Sequence, residues 1–362
     1  MAYGTVNADV IGTSVAGSNL GAGNASSMKN RIINGAMVID QRNAGASVAF
    51  STAWKYYLDR WQGRLMSASG SPTIGQSSSY PVGFSNSLII TNGTGVTPAA
   101  GETNTIQQTI EGYNIADLNW GTVNAKSITL SFWVKSSLTG TFGGSLSNGS
   151  STRSYPFTYS ISAANTWEQK SITIAGDTTG TWASDNTGGL QVFFDLGTGS
   201  TYQGTAGSWA GADYRAATGC VKIVSTTSAT FYITGVQVEV GSSATGFDYR
   251  QYTTELQLCQ RYLPAFNYVS NGIVCTAVQY GGSTLFANIV FPVTARVFPT
   301  GATVTGSVVA YPSGNTSSGG SFNASSQYVG QIGFTLSGTA GQAQDVRANS
   351  ATLQILFTGC EL

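Results

Sequence analysis

Ala229-Thr230-Phe231-Tyr232-Ile233-Thr234-Gly235-Val236-Gln237-Val238-Glu239-Val240 reads as a strand that changes parity half-way along. Phe231 and Ile233 share one face of a two-residue repeat, and Val236, Val238 and Val240 share the other. Gly235 stands at the switch. A β-bulge or bend at Gly235 keeps both apolar sets on one core, since a bulge inserts one unpaired residue into the strand.

The same alternation recurs upstream. Within 126–136, Ile128, Leu130, Phe132 and Val134 face one way, and Thr129, Ser131, Trp133 and Lys135 the other, the pattern of a half-buried strand. Similar runs occupy 88–90, 171–175 and 190–196, separated by loops rich in Gly, Ser and Thr such as 197–219. Many short strands with Gly-rich turns predict an all-β chain, with a jelly-roll-type β-sandwich over 49–252. A helical connector is expected over 253–263, with Thr253 or Thr254 as its cap and Leu256, Cys259 and Leu263 near helical spacing. Alternation returns at 285–293, 332–336 and 353–357, which predicts a smaller C-terminal β-domain over 264–362. Residues 1–48 read as an extended N-terminal arm, because 1–28 are too small and polar to form a core alone. Such an arm either attaches to a partner or folds back on its own domain. No fixed-period repeat marks a β-helix or propeller.

Composition narrows the function. Charged residues make up 9% of the chain, and 16 Lys and Arg balance 16 Asp and Glu. A nucleic-acid partner is not expected, since phosphates call for a basic face, nor is membrane insertion, since no apolar run approaches the ~20 residues of a spanning helix. There is no histidine, which removes Ser-His-Asp and Cys-His catalysis and the usual zinc sites. Cys220, Cys259, Cys275 and Cys360 form no CxxC pair and read as buried free thiols, as in a protein assembled in a reducing cytoplasm. The start, Met1-Ala2-Tyr3-Gly4-Thr5, lacks a basic segment followed by an apolar one, so no standard export signal is expected. The abundant Ser, Thr, Asn and Gly suit hydrogen bonding to sugars, or packing against identical copies without charge repulsion; they equally suit the polar loops of any neutral β-protein.

Three segments carry a resemblance. They are Asn30-Arg31-Ile32-Ile33-Asn34-Gly35-Ala36-Met37 with Asp40-Gln41-Arg42; Tyr57-Leu58-Asp59-Arg60-Trp61; and 231–241 continuing through Phe247-Asp248-Tyr249-Arg250 into 255–262. Ile110-Glu111-Gly112, Trp120-Gly121 and 130–135 add to them. In this order, over about 30–262, they resemble the tail-fibre proteins of tailed bacteriophages. The resemblance implies a carbohydrate-binding-module-like sandwich, a homotrimer, attachment to other virion proteins through the N-terminal arm, a host-facing C-terminal domain, and location in the virion at a tail fibre or tail tip. The function expected is attachment to a host surface glycan or receptor. A capsid-decorating or head-fibre role and a polysaccharide depolymerase are the alternatives.

Candidate ligand-binding residues are Trp182, Tyr202, Trp209 and Tyr214, aromatics among small polar neighbours, as sugar recognition requires. They serve equally well to pack their loops onto the sandwich. Asp59, beside Arg60, is a candidate ligand for a structural calcium ion, or else half of a salt bridge or hydrogen-bonded pair. Glu111 and Glu239 read as framework residues. Asp177, Asp185, Asp195 and Asp213 are the densest acids, and a glycosidase needs two carboxylates about 5–10 Å apart. They fall among predicted turns, and no enzyme activity is expected.

Overall fold

A computed structural model describes residues 28–362; the part of the expected arm before Met28 lies outside them. The chain forms two compact units, one ending at Tyr249 and one spanning Arg250–Leu362.

The first unit is a β-sandwich. In chain order its strands are β1 (Val48–Ala49), β2 (Lys55–Leu58), β3 (Trp61–Leu65), β4 (Thr73–Ser77), β5 (Ser87–Thr91), β6 (Asn104–Glu111), β7 (Ile128–Ser136), β8 (Gly140–Asn148), β9 (Ser154–Ile161), β10 (Glu168–Ile174), β11 (Gly188–Asp195), β12 (Gln203–Gly204), β13 (Ala216–Ala217) and β14 (Thr230–Val240). One sheet has the order β1-β4-β5-β14-β7-β10 and the other β2-β3-β6-β11-β8-β9. Ile128, Leu130, Phe132 and Val134 of β7 and Val192 and Phe194 of β11 are fully buried in one shared core. The rings of Phe132 and Phe194 meet edge to face at 5.0 Å across the two layers. Each such side chain contributes roughly 1.5–3 kcal/mol by leaving water.

The parity switch in β14 is a bulge, as its sequence predicts. The register against β7 shifts between Thr234 and Gln237, Gly235 has φ +61°, and Phe231, Ile233, Val236 and Val238 are all fully buried. The bulge has a second effect. β5 pairs only with Thr230, Phe231, Tyr232 and Ile233, so the second half of β14 needs another neighbour on that edge. Residues 30–35 supply it. Val236 N–H donates to Gly35 O at 3.0 Å, Arg31 N–H donates to Val238 O at 3.0 Å, and the Asn30 amide donates to Val236 O and accepts from Val238 N–H. Gln108, facing inward from β6, clamps the backbone of Ile33 at both its N–H and its C=O. A Cβ on Gly35 would lie 2.2 Å from Val236 O, so only glycine permits this approach.

Over its described part, the arm expected over 1–48 folds back on its own domain. Asn30, Ile32, Asn34, Met37 and Ile39 are buried in the sandwich. Asn34 holds the turn by donating to Ile39 O and Asp59 O and accepting from Ile39 N–H, while Trp61 Nε1 donates to Asn34 O. The apolar Ile32-Ile33 pair is buried there, and the polar residues beside it bond the edge of β14 without forming a regular strand.

The second unit opens with helix α1 (Tyr252–Gln260), whose N-cap is Gln251 with no side-chain cap bond; Thr253 and Thr254 lie inside the first turn. A three-stranded sheet (Ala265–Val269, Thr352–Thr358, Gly301–Thr305) and a seven-stranded sheet running from Asn315–Ser318 to Ser321–Ser325 follow. Leu353, Ile355 and Phe357 of the first sheet share one core with Leu285, Ala287, Ile332, Phe334 and Val346 of the second. All four cysteines are free; Cys220, Cys259 and Cys360 are buried and Cys275 is half-buried. Burial pushes the Cys220 thiol up to about 12 and those of Cys275 and Cys360 to about 11, which leaves them unreactive at neutral pH.

A Cβ on Gly235 would meet the Phe84 ring at 2.6 Å and Trp133 at 3.1 Å, on a backbone with positive φ. Gly235→Ala is expected to lower unfolding free energy by about 1–3 kcal/mol, read as a fall in denaturant midpoint. Gly101→Ala, where nothing lies within 4 Å, serves as the control and should stay within about 0.5 kcal/mol of the parent.

Candidate functional site

The core-averted face of the β2-β3-β6-β11-β8-β9 sheet is the candidate site. β6 is buried along its whole length, yet alternates Ile106, Gln108 and Ile110 toward the core with Thr105, Gln107 and Thr109 away from it. Cross-strand register extends these outward residues into rows. Gln62, Gln107, Phe193 and Ser145 form one; Arg64, Thr105 and Asp195 form the next; Thr109, Gln191 and Ser147 form a third. Tyr56 continues the first row beyond Gln62. The result is a strip of amides and hydroxyls with an aromatic ring at intervals.

The loop after β11 covers part of this face. Its base is drawn together by Arg215 N–H donating to Tyr202 O at 2.8 Å and by the parallel pair β12–β13. Its tip docks on β9, where Ala210 and Ser154 exchange backbone hydrogen bonds and Gly207 N–H donates to Pro156 O. This seals the outer edge of the sheet. The base sets Arg215 over three rings: Phe193 at 5.4 Å, Tyr202 at 5.4 Å and Trp54 at 5.7 Å. Phe193 is thereby buried although it points away from the core. Arg64 reaches the Trp54 ring at 4.8 Å and donates from Nε to Thr103 Oγ1 at 2.6 Å. Trp54, Tyr56, Gln62, Arg64, Tyr202 and Arg215 all stay half-exposed. They rim a groove with stacking surface, amides and guanidinium donors.

The floor carries unspent polar capacity. Thr105 Oγ1, Gln107 Oε1 and Thr109 Oγ1 are buried without a hydrogen-bond partner among the described residues, as is Arg215 Nη1. Buried polar groups left unpaired cost about 1–3 kcal/mol each.

The four aromatic candidates fall into separate settings. Trp182 and Trp209 meet at 5.5 Å, and both touch Trp120, at 4.6 and 5.4 Å, all edge to face. Their indole N–H groups are engaged, Trp182 to Thr179 O and Trp209 to Ala175 O. This trio pins the 175–183 and 198–219 loops against the core, the packing role open to them from sequence. Tyr214 lies on Gly204. Tyr202 alone of the four stands beside Arg215 on the groove. Trp54, Gln62, Arg64, Gln107 and Arg215 were missed; the outward parity of Gln62 and Arg64 within 61–65 was the available signal.

Asp59 is buried and its two oxygens accept N–H donors from Gln41, backbone at 2.7 Å and side chain at 2.6 Å. Its neighbour Arg60 donates to Thr109 O. Both Asp59 oxygens thus face donors, which does not fit a calcium ligand, and no group of three or more acidic or Cys side chains comes together among the described residues. Glu239 accepts from Gln237, Thr245 N–H and Thr245 Oγ1, the framework role expected.

No known protein family and no curated protein matches the chain. Solved structures match parts of it at low similarity. A putative sugar binding protein from Bacteroides thetaiotaomicron is 11% identical, covering 59% of this chain and 100% of that one, with a TM-score of 0.35. The enzymatically active domain of bacteriophage CBA120 tailspike protein 4 is 13% identical with a TM-score of 0.31, over 59% of this chain; the match spans 21% of the tailspike chain. The C-terminal family 22 carbohydrate binding module of Clostridium thermocellum Xyn10B is 15% identical with a TM-score of 0.28, over 56% of this chain and 99% of that module.

Asp195 gives the site a pH dependence. Burial raises its carboxyl from 3.8 to about 6, against backbone donation from Gly197 at 3.0 Å and Thr198 at 2.7 Å. The folded state therefore holds this proton more tightly than the unfolded chain. Its contribution to stability is greatest below about pH 4 and is lost as pH rises through 6. Asp195→Asn keeps the acceptor and removes the charge. It should raise stability at pH 7.5 by about 1–3 kcal/mol and flatten the slope between pH 4 and 6, read from denaturant midpoints across pH.

Proposed function

We propose that this chain is a non-enzymatic adhesion protein of a bacteriophage particle, a tail-fibre or tail-tip component that binds host-surface glycan. The groove on the outer face of the β2-β3-β6-β11-β8-β9 sheet is the binding site. The observation that carries the glycan reading is the grouping of half-exposed rings, Trp54, Tyr56 and Tyr202, with the half-exposed Gln62 amide and Arg64 guanidinium on one face. Sugar rings present C–H faces to aromatics and hydroxyls to amides, and this groove offers both. The phage assignment rests on the tail-fibre-like segments. Three of these are linked in the fold, since 30–35 bonds to β14 at Val236 and Val238 and Asn34 bonds to Asp59 and Trp61. Assembly as a homotrimer and contact with other virion proteins belong to the same proposal. Avidity would then multiply weak individual sites.

The acids support a non-enzymatic role. Burial would raise Asp177, but two 2.7 Å bonds from Arg153 hold it below the usual carboxylate range. Asp213 is held by Arg215. Asp185 accepts from Thr187, and Asp195 from the 197–198 backbone. Each of these four carboxylates has a structural occupation.

Full-length protein should bind intact host cells, and Trp54→Ala with Tyr202→Ala should weaken binding at least about tenfold without moving the thermal midpoint of unfolding by more than a few degrees. Undiminished binding by the double variant would exclude the groove as the binding site. Release of new reducing ends from host polysaccharide would replace adhesion with depolymerisation.

A further inference from the structure

The charge around Trp54 is unbalanced. Arg64 and Arg215 both stack on its ring, at 4.8 and 5.7 Å. Among the described residues only one carboxylate, Asp213, answers them, and Arg215 takes it through a two-bond pair of 3.1 and 2.9 Å. Arg64 donates to the neutral Thr103 hydroxyl and makes no ion pair with any described residue. Burial and then the Arg215 charge lower the pKa of Arg64, while the Asp213 charge acts the other way. Arg64 is thus a half-buried cation with no ion-pair partner among the described residues. Its planar fork is oriented by the Trp54 ring and by its Nε bond. Beside it, Thr105 Oγ1 and Gln107 Oε1 lack donors and Arg215 Nη1 lacks an acceptor.

The geometry points to an acidic glycan as the ligand: a sugar whose carboxylate is received by Arg64, with Trp54 stacking on the ring. A neutral sugar would leave the guanidinium uncompensated. A carboxylate accepts two parallel N–H bonds from an arginine fork, and bonds of this charge-assisted kind are about twice as strong as neutral ones. This inference rests on the glycan-binding reading of the groove and adds the ligand's charge to it. Attraction to one guanidinium is screened by salt, so binding of such a ligand is salt-sensitive.

The test uses the full chain and an immobilised panel of uronic-acid and sialic-acid oligosaccharides, each paired with its carboxyl-reduced counterpart. The expected result is binding to at least one acidic member, with a loss of about tenfold or more on carboxyl reduction. Arg64→Gln should give a similar loss on the acidic member, and Arg64→Lys a partial one, both with unchanged thermal midpoints. Raising salt from about 0.05 M to 0.5 M should weaken parent binding and leave Arg64→Gln nearly unaffected. Equal binding of the reduced counterpart, dependent on Trp54 but not on Arg64, would overturn the acidic-ligand inference and leave the glycan reading standing. Binding to no member of the panel would overturn both.

Discussion

The hydrogen bond from Val236 N–H to Gly35 O is the contact on which the sandwich depends. A bulge in β14 is needed to bury Phe231 and Ile233 together with Val236 and Val238. The same bulge diverts β14 from β5 and leaves the edge of its second half unpaired. Unpaired backbone groups inside a protein are costly, and 30–35 fills the edge with backbone and amide donors. The inserted segment then dictates its surroundings. Gln108 must face inward to clamp Ile33, Asn34 must brace the turn to Asp59, and Trp61 must reach Asn34 O. The tail-fibre-like residues are in this sense one device spread over 200 positions.

That device also positions the groove. Gln108 and Trp61 are fixed toward the core, so Gln107 and Gln62, their neighbours in sequence, are fixed outward by the two-residue repeat. Arg64 follows Gln62 by the same rule. The other wall comes from the loop after β11, whose base holds Tyr202 against Arg215 and whose tip caps β9. Trp182 and Trp209 belong to that fastening: with Trp120 they tie the loop to the core, and the groove depends on them through the loop they hold.

Strands with apolar alternation were legible in the sequence. The 128–134 face and the Gly235 switch appear in the fold as the residues indicate, and so do the runs at 285–289 and 353–357. β6 and β8 were not legible, because the core face of each has only two apolar residues, Ile106 and Ile110 or Phe142 and Leu146, with Gln108 or Gly144 between them. They are buried because the outer face is covered by a loop, a tertiary fact with no local signature. The segment 28–41 misled for a related reason. It forms no strand of its own and looks like an arm, yet its partner lies 200 residues away. The aromatic candidates showed the limit of reading sites by residue type. Trp209 and Tyr202 stand in one loop with the same kind of neighbours, and only the fold separates the one that staples from the one that rims the groove.

Native-state hydrogen exchange at the Val236 amide tests the role of this contact most directly. If Gly35 O receives this hydrogen as part of the sandwich's cooperative core, Val236 will exchange only through global unfolding, with the same protection as Phe231 and Val238. Exchange of Val236 at the rate of an exposed loop amide, while Phe231 stays protected, would contradict this. It would show that residues 30–35 do not close the edge of β14 and that the bulge leaves it open.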